Sequence, residues 1–248
     1  APASARALAE VLGRVFPPDY ITVAEGGREE AEALVDKPFD VIFFTGSPAV
    51  GKKVMAAAAE DAIDVVTESL ASGDDAAAKS AVEMTRSMDQ MERDIENRCL
   101  RLLLQQQPVA RDLRQISAAL KMITDMERIG DQAEDIAEIV ISGQVNEGEE
   151  LLRDMAASTI KMVTESVDAY VQRDTMLAET VIAEDDVVDN AFDEVKRRLI
   201  DKIAAHPDDG EYALDLLMIA KYFERIGDHA TNIAEWVIFS VTGVHKEG

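Results

Sequence analysis

From about Pro48 onward, apolar residues recur every three to four positions through long stretches, a period that predicts amphipathic helices and no convincing strand. Short turn-forming runs punctuate the pattern at Ser72–Gly73–Asp74, Gln105–Pro108, Gly143–Gly148 and His206–Gly210. Helices of twenty residues or more, packed antiparallel, follow from that spacing. The first sixty residues alternate differently. Ala3–Phe16 predicts a helix, Tyr20–Ala24 a short strand, Gly26–Gly27 a turn, Glu29–Val35 a second helix and Asp40–Thr45 (DVIFFT) a fully apolar strand. Pro48–Glu60 follows as a helix, with Ser47 as N-cap and Pro48 at the first helical position. The predicted fold is mainly all-α, preceded by a short α/β segment over 1–60.

The helical part repeats. ITDMERIGDQAEDIAE at 123–138 matches AKYFERIGDHATNIAE at 220–235 with an offset of 97, while Asp74 and Asp89 align with Asp174 and Asp189 at an offset of 100. The loop between the second and third helix of each copy is therefore about three residues shorter in the second. Two copies of one helical unit predict two pseudo-symmetric three-helix bundles, over 61–145 and 146–248.

Within each copy the spacing sorts core from chemistry. At 100° per residue, with Glu127 at zero, Asp131 falls at about 40°, Asp135 at about 80°, Glu134 at about −20° and Glu138 at about 20°. Glu224, Asp228, Asn232 and Glu235 take the corresponding angles in the second copy. Met126, Ile129, Ala133, Ala137 and Val140 cluster near −120°, mirrored by Phe223, Ile226, Ala230, Ala234 and Val237. One face is core and the other is a stripe of oxygen ligands. Like charges at i,i+4 cost roughly 0.2–0.5 kcal/mol per pair, a cost that a hard cation or an arginine between them removes. Arg128 and Arg225 stand beside their motif glutamates and supply part of that neutralisation. A solvated acidic face and a cation site both remain open at this point; recurrence of the acids at the same angles favours the second. Gly130 and Gly227, each mid-helix at a cost of about 0.5–1 kcal/mol, predict close helix approach.

Charge narrows the function classes. The 248 residues carry 49 acidic and 25 basic side chains, for a net charge of −24. Acids exceed bases by only 9 to 6 in residues 1–60, so −21 of that charge lies in 61–248. Such a surface repels phosphate backbones and excludes nucleic-acid binding as a primary role; it suits multivalent cations or basic partners. One cysteine forms no internal disulfide, and no charged-then-apolar leader is present, from which a cytoplasmic location is expected. No run of 18 apolar residues exists to span a membrane.

Three stretches, CLRLLLQQQPVARDLR (99–114), DMERIGDQAEDIAE (125–138) and FERIGDHATNIAE (223–235), together resemble the PhoU family of bacterial phosphate-transport regulators. The resemblance covers roughly residues 61–248, about three quarters of the chain. It implies two three-helix bundles and a role without catalysis. It further implies partners: a phosphate-specific ABC transporter that the protein restrains, and a phosphate-sensing histidine kinase that it helps to repress starvation genes. Metal clusters held by paired E/D-x-x-x-D motifs are also implied, mapping onto Glu127 and Asp131 in the first copy and onto Glu224 and Asp228 in the second. Asp135 extends the first motif, but its counterpart is Asn232, so the two sites differ. Asp89 and Asp189 are weaker candidates for facing ligands. The implied cofactors are multivalent metal ions, with iron, Mg, Mn or Zn as candidates, since all-oxygen sites discriminate little. Oligomeric state stays open, a homodimer included.

The front of the chain departs from that family, in which a first helix should precede residue 61. KPFDVIFFTGSPAVGKKVMAAAAE (37–60) is instead similar to the nucleotide-binding region of aldehyde dehydrogenases. Their G-S-x-x-V-G turn, here Gly46, Ser47, Val50 and Gly51, approaches the cofactor pyrophosphate at a helix N-terminus. The match stops at Glu60 and no catalytic cysteine region follows, so neither dehydrogenase activity nor NAD binding is expected. AAAAEDAIDVVTESL lets the junction run as one helix. The alternative readings are a metal-binding helical scaffold, a chimera with a vestigial nucleotide-binding segment, or a di-metal enzyme; the lack of an E-x-x-H pair counts against the last. Cys99 and the ten methionines predict core packing, and Trp236 packing near a helix end. His229, about 100° from Asp228, predicts a surface histidine, and the acids within Met155–Tyr170 a solvated face.

Overall fold

The helical period resolves into six long helices in the computed structural model, which describes residues 48–72, 74–106, 109–142 and 150–244. They are α1 (Pro48–Ser72), α2 (Asp75–Gln106), α3 (Ala110–Ile141), α4 (Glu150–Gln172), α5 (Thr175–Ala205) and α6 (Gly210–Thr242), with a 3₁₀ turn at Pro207–Asp209 before α6. The helix and strand elements expected over 3–45, and Gly46 and Ser47, lie outside the described residues. α1 starts at Pro48 and crosses residue 60 without a break, so it is the first helix of the first bundle. Among the described residues there is no strand.

The repeat is visible in the caps. Asp74 Oδ1 accepts from the backbone N–H of Ala76 at 2.9 Å and of Ala77 at 3.4 Å. Asp174, one hundred residues on, accepts in the same way from Met176 and Leu177, at 2.9 and 3.1 Å. α6 stops on Gly243, whose φ of 80° lets its N–H reach Phe239 O at 2.8 Å. α4 stops on Arg173 with φ 57°, a left-handed conformation that costs a side-chain-bearing residue roughly 1–2 kcal/mol.

α1–α3 form one bundle and α4–α6 the other, and they join where α3 packs on α6 and α1 on α4. The predicted core faces are buried: Met126, Ile129, Ala133, Phe223, Ile226 and Ala230 are all without exposed surface. Cys99 and most of the described methionines join them, Met176 and Met218 being exposed. The acids of α4 depart from expectation. Glu165 and Asp168 are half-buried, because α4 is covered by α1 as well as by α5 and α6. On the α1 side, burial pushes the Glu60 carboxyl upward, an effect that the neighbouring Thr164 side chain partly offsets.

The two glycines mark equivalent approaches of unequal tightness. A Cβ on Gly130 would lie 3.2 Å from Met88 Sδ and Cε; on Gly227 its nearest neighbours, Asp185 Oδ1 and Val188 Cγ1, stand at an ordinary 3.5 Å. Gly227→Ala is therefore expected to stabilise the chain by about 0.5–1 kcal/mol through helix propensity. Gly130→Ala gains less, because Met88 must shift to admit the methyl group. Urea denaturation of the two variants checks this; equal gains would contradict the difference in clearance.

Candidate metal centre

Gly130 lets Met88 of α2 bury against α3, and that contact sets the next residue, Asp89, at the rim where Glu127 and Asp131 flank the same point. One carboxylate oxygen from each of Asp89, Glu127 and Asp131 lies within 4.8 Å of the other two. Glu127 is held above the usual carboxylate range by burial first, then by the charges of Asp131, Glu92 and Asp89, with Arg128 working against the rise. Asp131 is raised for the same reasons, by burial and then by Asp89, Asp135 and Glu134. Burial also raises Glu92, one turn beyond Asp89. The first bundle thus gathers three acids around one point, with a fourth, Glu92, near enough for its charge to act on Glu127.

The second bundle carries the corresponding acids with exchanges around them, and among the described residues only the first trio brings three carboxylate oxygens within 4.8 Å of one another. Asp189, Glu224 and Asp228 stand in for Asp89, Glu127 and Asp131; burial raises the carboxyls of Asp189 and Asp228, and the charge of Glu224 raises both further. Asp185 occupies the place of Thr85, and its carboxyl is pushed up to about 6, by burial first and then by Asp189 and Asp228. Lys221 replaces Thr124 and forms an ion pair with Glu224, its Nζ 5.3 Å from the centre of the Phe192 ring, which replaces Glu92. Thr85 Oγ1 donates to Glu134 Oε2 at 2.9 Å in the first bundle. In the second the acid is Asp185 on α5 and the threonine Thr231 on α6, which lowers the Asp185 carboxyl slightly although its buried hydroxyl has no hydrogen-bond partner within range. Aligning the copies at offsets of 100 and 97 exposes Asp185, Lys221 and Phe192; a search for recurring acids passes over them, because each differs from its counterpart.

Asp135 faces away from the trio. Its carboxylate accepts a hydrogen bond from Tyr222 across the α3–α6 seam and lies beside Arg225, both of which lower its pKa against the larger rise from burial. The pseudo-twofold mate of that contact joins Asp125 to Asn232, whose Nδ2 donates to Asp125 Oδ1 at 3.3 Å. His229 Nδ1 stands 3.0 Å from the same oxygen. The expectation of a surface histidine is therefore corrected: His229 is only 7% exposed. The arc about 100° from Asp228 faces the other bundle, not solvent. Beside this seam Asp131, Gln132, Glu134, Asp135, Glu138 and Arg225 line a groove of about 370 Å³.

The raised carboxyls set the pH dependence of the metal-free chain. From the usual Asp value of 3.8 up to about 6, the folded chain holds a proton on Asp185 that the unfolded chain has released. Stability therefore falls as pH rises through that window, and the full penalty is present above it. Thermal melts in metal-free buffer are expected to give a higher Tm at pH 5.5 than at pH 7.5, and Asp185→Asn is expected to narrow the difference. A wild-type Tm that rises with pH would contradict this.

The PhoU domain family matches residues 53–140 and 152–237, one match for each bundle. A PhoU homolog of the phosphate-specific transport system from Clostridium acetobutylicum is 33% identical over 193 residues, covering 76% of this chain and 88% of that one. The homolog from Pseudomonas aeruginosa is 35% identical over 188 residues, covering 74% and 78%. The crystal structure of PhoU from Pseudomonas aeruginosa superposes with a TM-score of 0.76 at 33% identity, covering 79% of this chain and 96% of that one. The phosphate transport system regulatory protein PhoU from Streptococcus pneumoniae shares the fold, with a TM-score of 0.74 at 23% identity, over 81% and 96% of the two chains.

Proposed function

Since this chain belongs to the PhoU family, we propose that it is an accessory regulator of a phosphate-specific transport system, working by metal-dependent contact and without catalysis. The observation that carries the metal part is the convergence of Asp89, Glu127 and Asp131. The donor set fits a hard multivalent cation: three carboxylate oxygens close together, those of Glu127 and Asp131 made costlier by burial and by their neighbours' charges. Asp189, Glu224 and Asp228, with Asp185 beside them, would hold a second ion, its charge partly supplied in advance by Lys221. Bound cations would turn two repelling acidic surfaces into docking faces, and would link metal or phosphate status to partner binding. The partners are the phosphate ABC transporter and the phosphate-sensing histidine kinase, met at the cytoplasmic side of the membrane. No helix among the described residues is long and apolar enough to cross a membrane, so contact with the bilayer is made through these partners.

Co-sedimentation with inverted membrane vesicles tests this reading. The chain is expected to pellet with vesicles enriched in the phosphate transporter, to stay in solution with vesicles lacking it, and to be released when metal is stripped. Equal pelleting with both vesicle types would contradict it.

A further inference from the structure

Three arginines converge about 25 Å along α3 from the carboxylate trio, at 1.5 Å per residue. Arg111, Arg114 and Gln115 share one side of the first turns of α3, Arg173 ends α4, and Ser240 and Val241 lie in the last turn of α6; together they line a cavity of about 300 Å³. Among the described residues none of the three guanidiniums has a carboxylate partner, in a chain that offers 49 acids. Arg114 Nε is buried with no acceptor, although its guanidinium is packed so closely against the end of α6 that a Cβ on Gly243 would lie 2.0 Å from its Nη1. The acid next in sequence to Arg173 is engaged elsewhere, since Asp174 caps α5. Ser240 donates its hydroxyl proton to Val237 O at 2.8 Å, so the donors left facing the cavity are the guanidiniums and the Gln115 amide.

The repeat does not dictate this cluster. At the offset of 97 the counterparts of Arg111, Arg114 and Gln115 are Asp208, Glu211 and Tyr212, and at the offset of 100 the counterpart of Arg173 is Gly73. One end of the pseudo-symmetric fold is acidic where the other is basic. Arg173 also keeps a strained left-handed backbone at a position where its counterpart is the glycine that such a turn favours. A buried donor without an acceptor, unpaired guanidinium forks and a tolerated strain all point into one cavity. Guanidiniums match phosphate oxygens in planar pairs, and three of them around one point suit a multiply charged tetrahedral anion better than a single carboxylate. At about 30 Å³ per water, the volume equals roughly ten waters, room for one or two phosphoryl groups.

We propose that Arg111, Arg114, Arg173 and Gln115 form a binding site for a small phosphate-bearing anion, separate from the metal sites and independent of whether those are occupied. The test is calorimetric titration of the full chain, freed of metal on a chelating resin, at fixed ionic strength, with inorganic phosphate, pyrophosphate, sulfate and citrate as separate probes. Saturable 1:1 binding is expected for phosphate or pyrophosphate, the tighter of the two identifying a one-phosphoryl or two-phosphoryl ligand. Arg114→Gln and Arg173→Gly are each expected to weaken it roughly tenfold or more. Arg173→Gly also relieves the left-handed strain and should melt about 2–4 °C higher, so its loss of binding cannot be a loss of fold. No saturable heat from either phosphate probe, unchanged affinity in Arg173→Gly, or equal binding of sulfate or citrate would overturn the proposal.

Discussion

Replacing His229 by alanine is expected to destabilise the chain by about 2–3 kcal/mol and to lower its Tm by roughly 5–10 °C. The side chains of His229 and Asp125 retain only 9% and 12% of their exposure, and their contact spans α6 and α3, the seam between the bundles. Removing the imidazole leaves a carboxylate in a nearly water-free place, with Asn232 Nδ2 at 3.3 Å as its remaining hydrogen-bond donor. The cost is the desolvation of an unmatched charge more than the loss of one hydrogen bond, and a thin contact with solvent keeps it toward the low end for broken buried pairs. Asp125→Ala combined with His229→Ala should therefore cost clearly less than the sum of the single changes, since the orphaned charge is gone. His229→Gln, which keeps a donor, should lose less than His229→Ala. Chemical denaturation of the four chains checks the cycle; additive costs would contradict a coupled pair.

Asp131→Asn is expected to weaken cation binding in the first bundle by about 100-fold, because ligand charge sets affinity in all-oxygen sites. Asp131 is the most exposed of the trio, so the change should leave the fold intact and relieve some repulsion on Glu127. The second bundle should respond to a different change. Lys221 already neutralises part of its cluster through Glu224, and its Nζ stands 5.3 Å from the centre of the Phe192 ring. Lys221→Met removes the ammonium, keeps a long apolar side chain beside the ring and should tighten the second site by roughly tenfold. Titration with Mn²⁺ followed by calorimetry resolves both effects. A second site no tighter in Lys221→Met would show that the lysine does not compete with the cation.

Residues that state their role along one helix were legible; residues whose role depends on a neighbouring helix were not. The apolar period marked Met126, Ile129, Phe223 and Ile226 as core, and all are buried. The offset of 100 marked Asp74 and Asp174 as turn residues, and both are N-caps. Angles about α3 placed Glu127, Asp131 and Asp135 on one arc, yet the structure divides them: two meet Asp89, and the third turns to Tyr222 and Arg225. An arc gives the direction of a side chain and not the identity of what it meets. The same limit explains His229, whose arc meets α3 instead of water. The different alternation of elements placed a boundary at residue 60, while the run AAAAEDAIDVVTESL foretold the helix that crosses it; α1 carries Met55, Ala59, Ala62 and Ile63 into one core.

The central claim, that this chain regulates phosphate uptake through its carboxylate metal site, is tested most directly in a bacterium lacking its own PhoU. Alkaline phosphatase is measured in phosphate-rich medium with this chain expressed, and in parallel with a variant carrying Asp89→Asn, Glu127→Gln and Asp131→Asn. The account predicts restored repression by the unaltered chain and weaker repression by the variant at equal protein level. High phosphatase with the unaltered chain folded and expressed, or full repression by the variant, would contradict it.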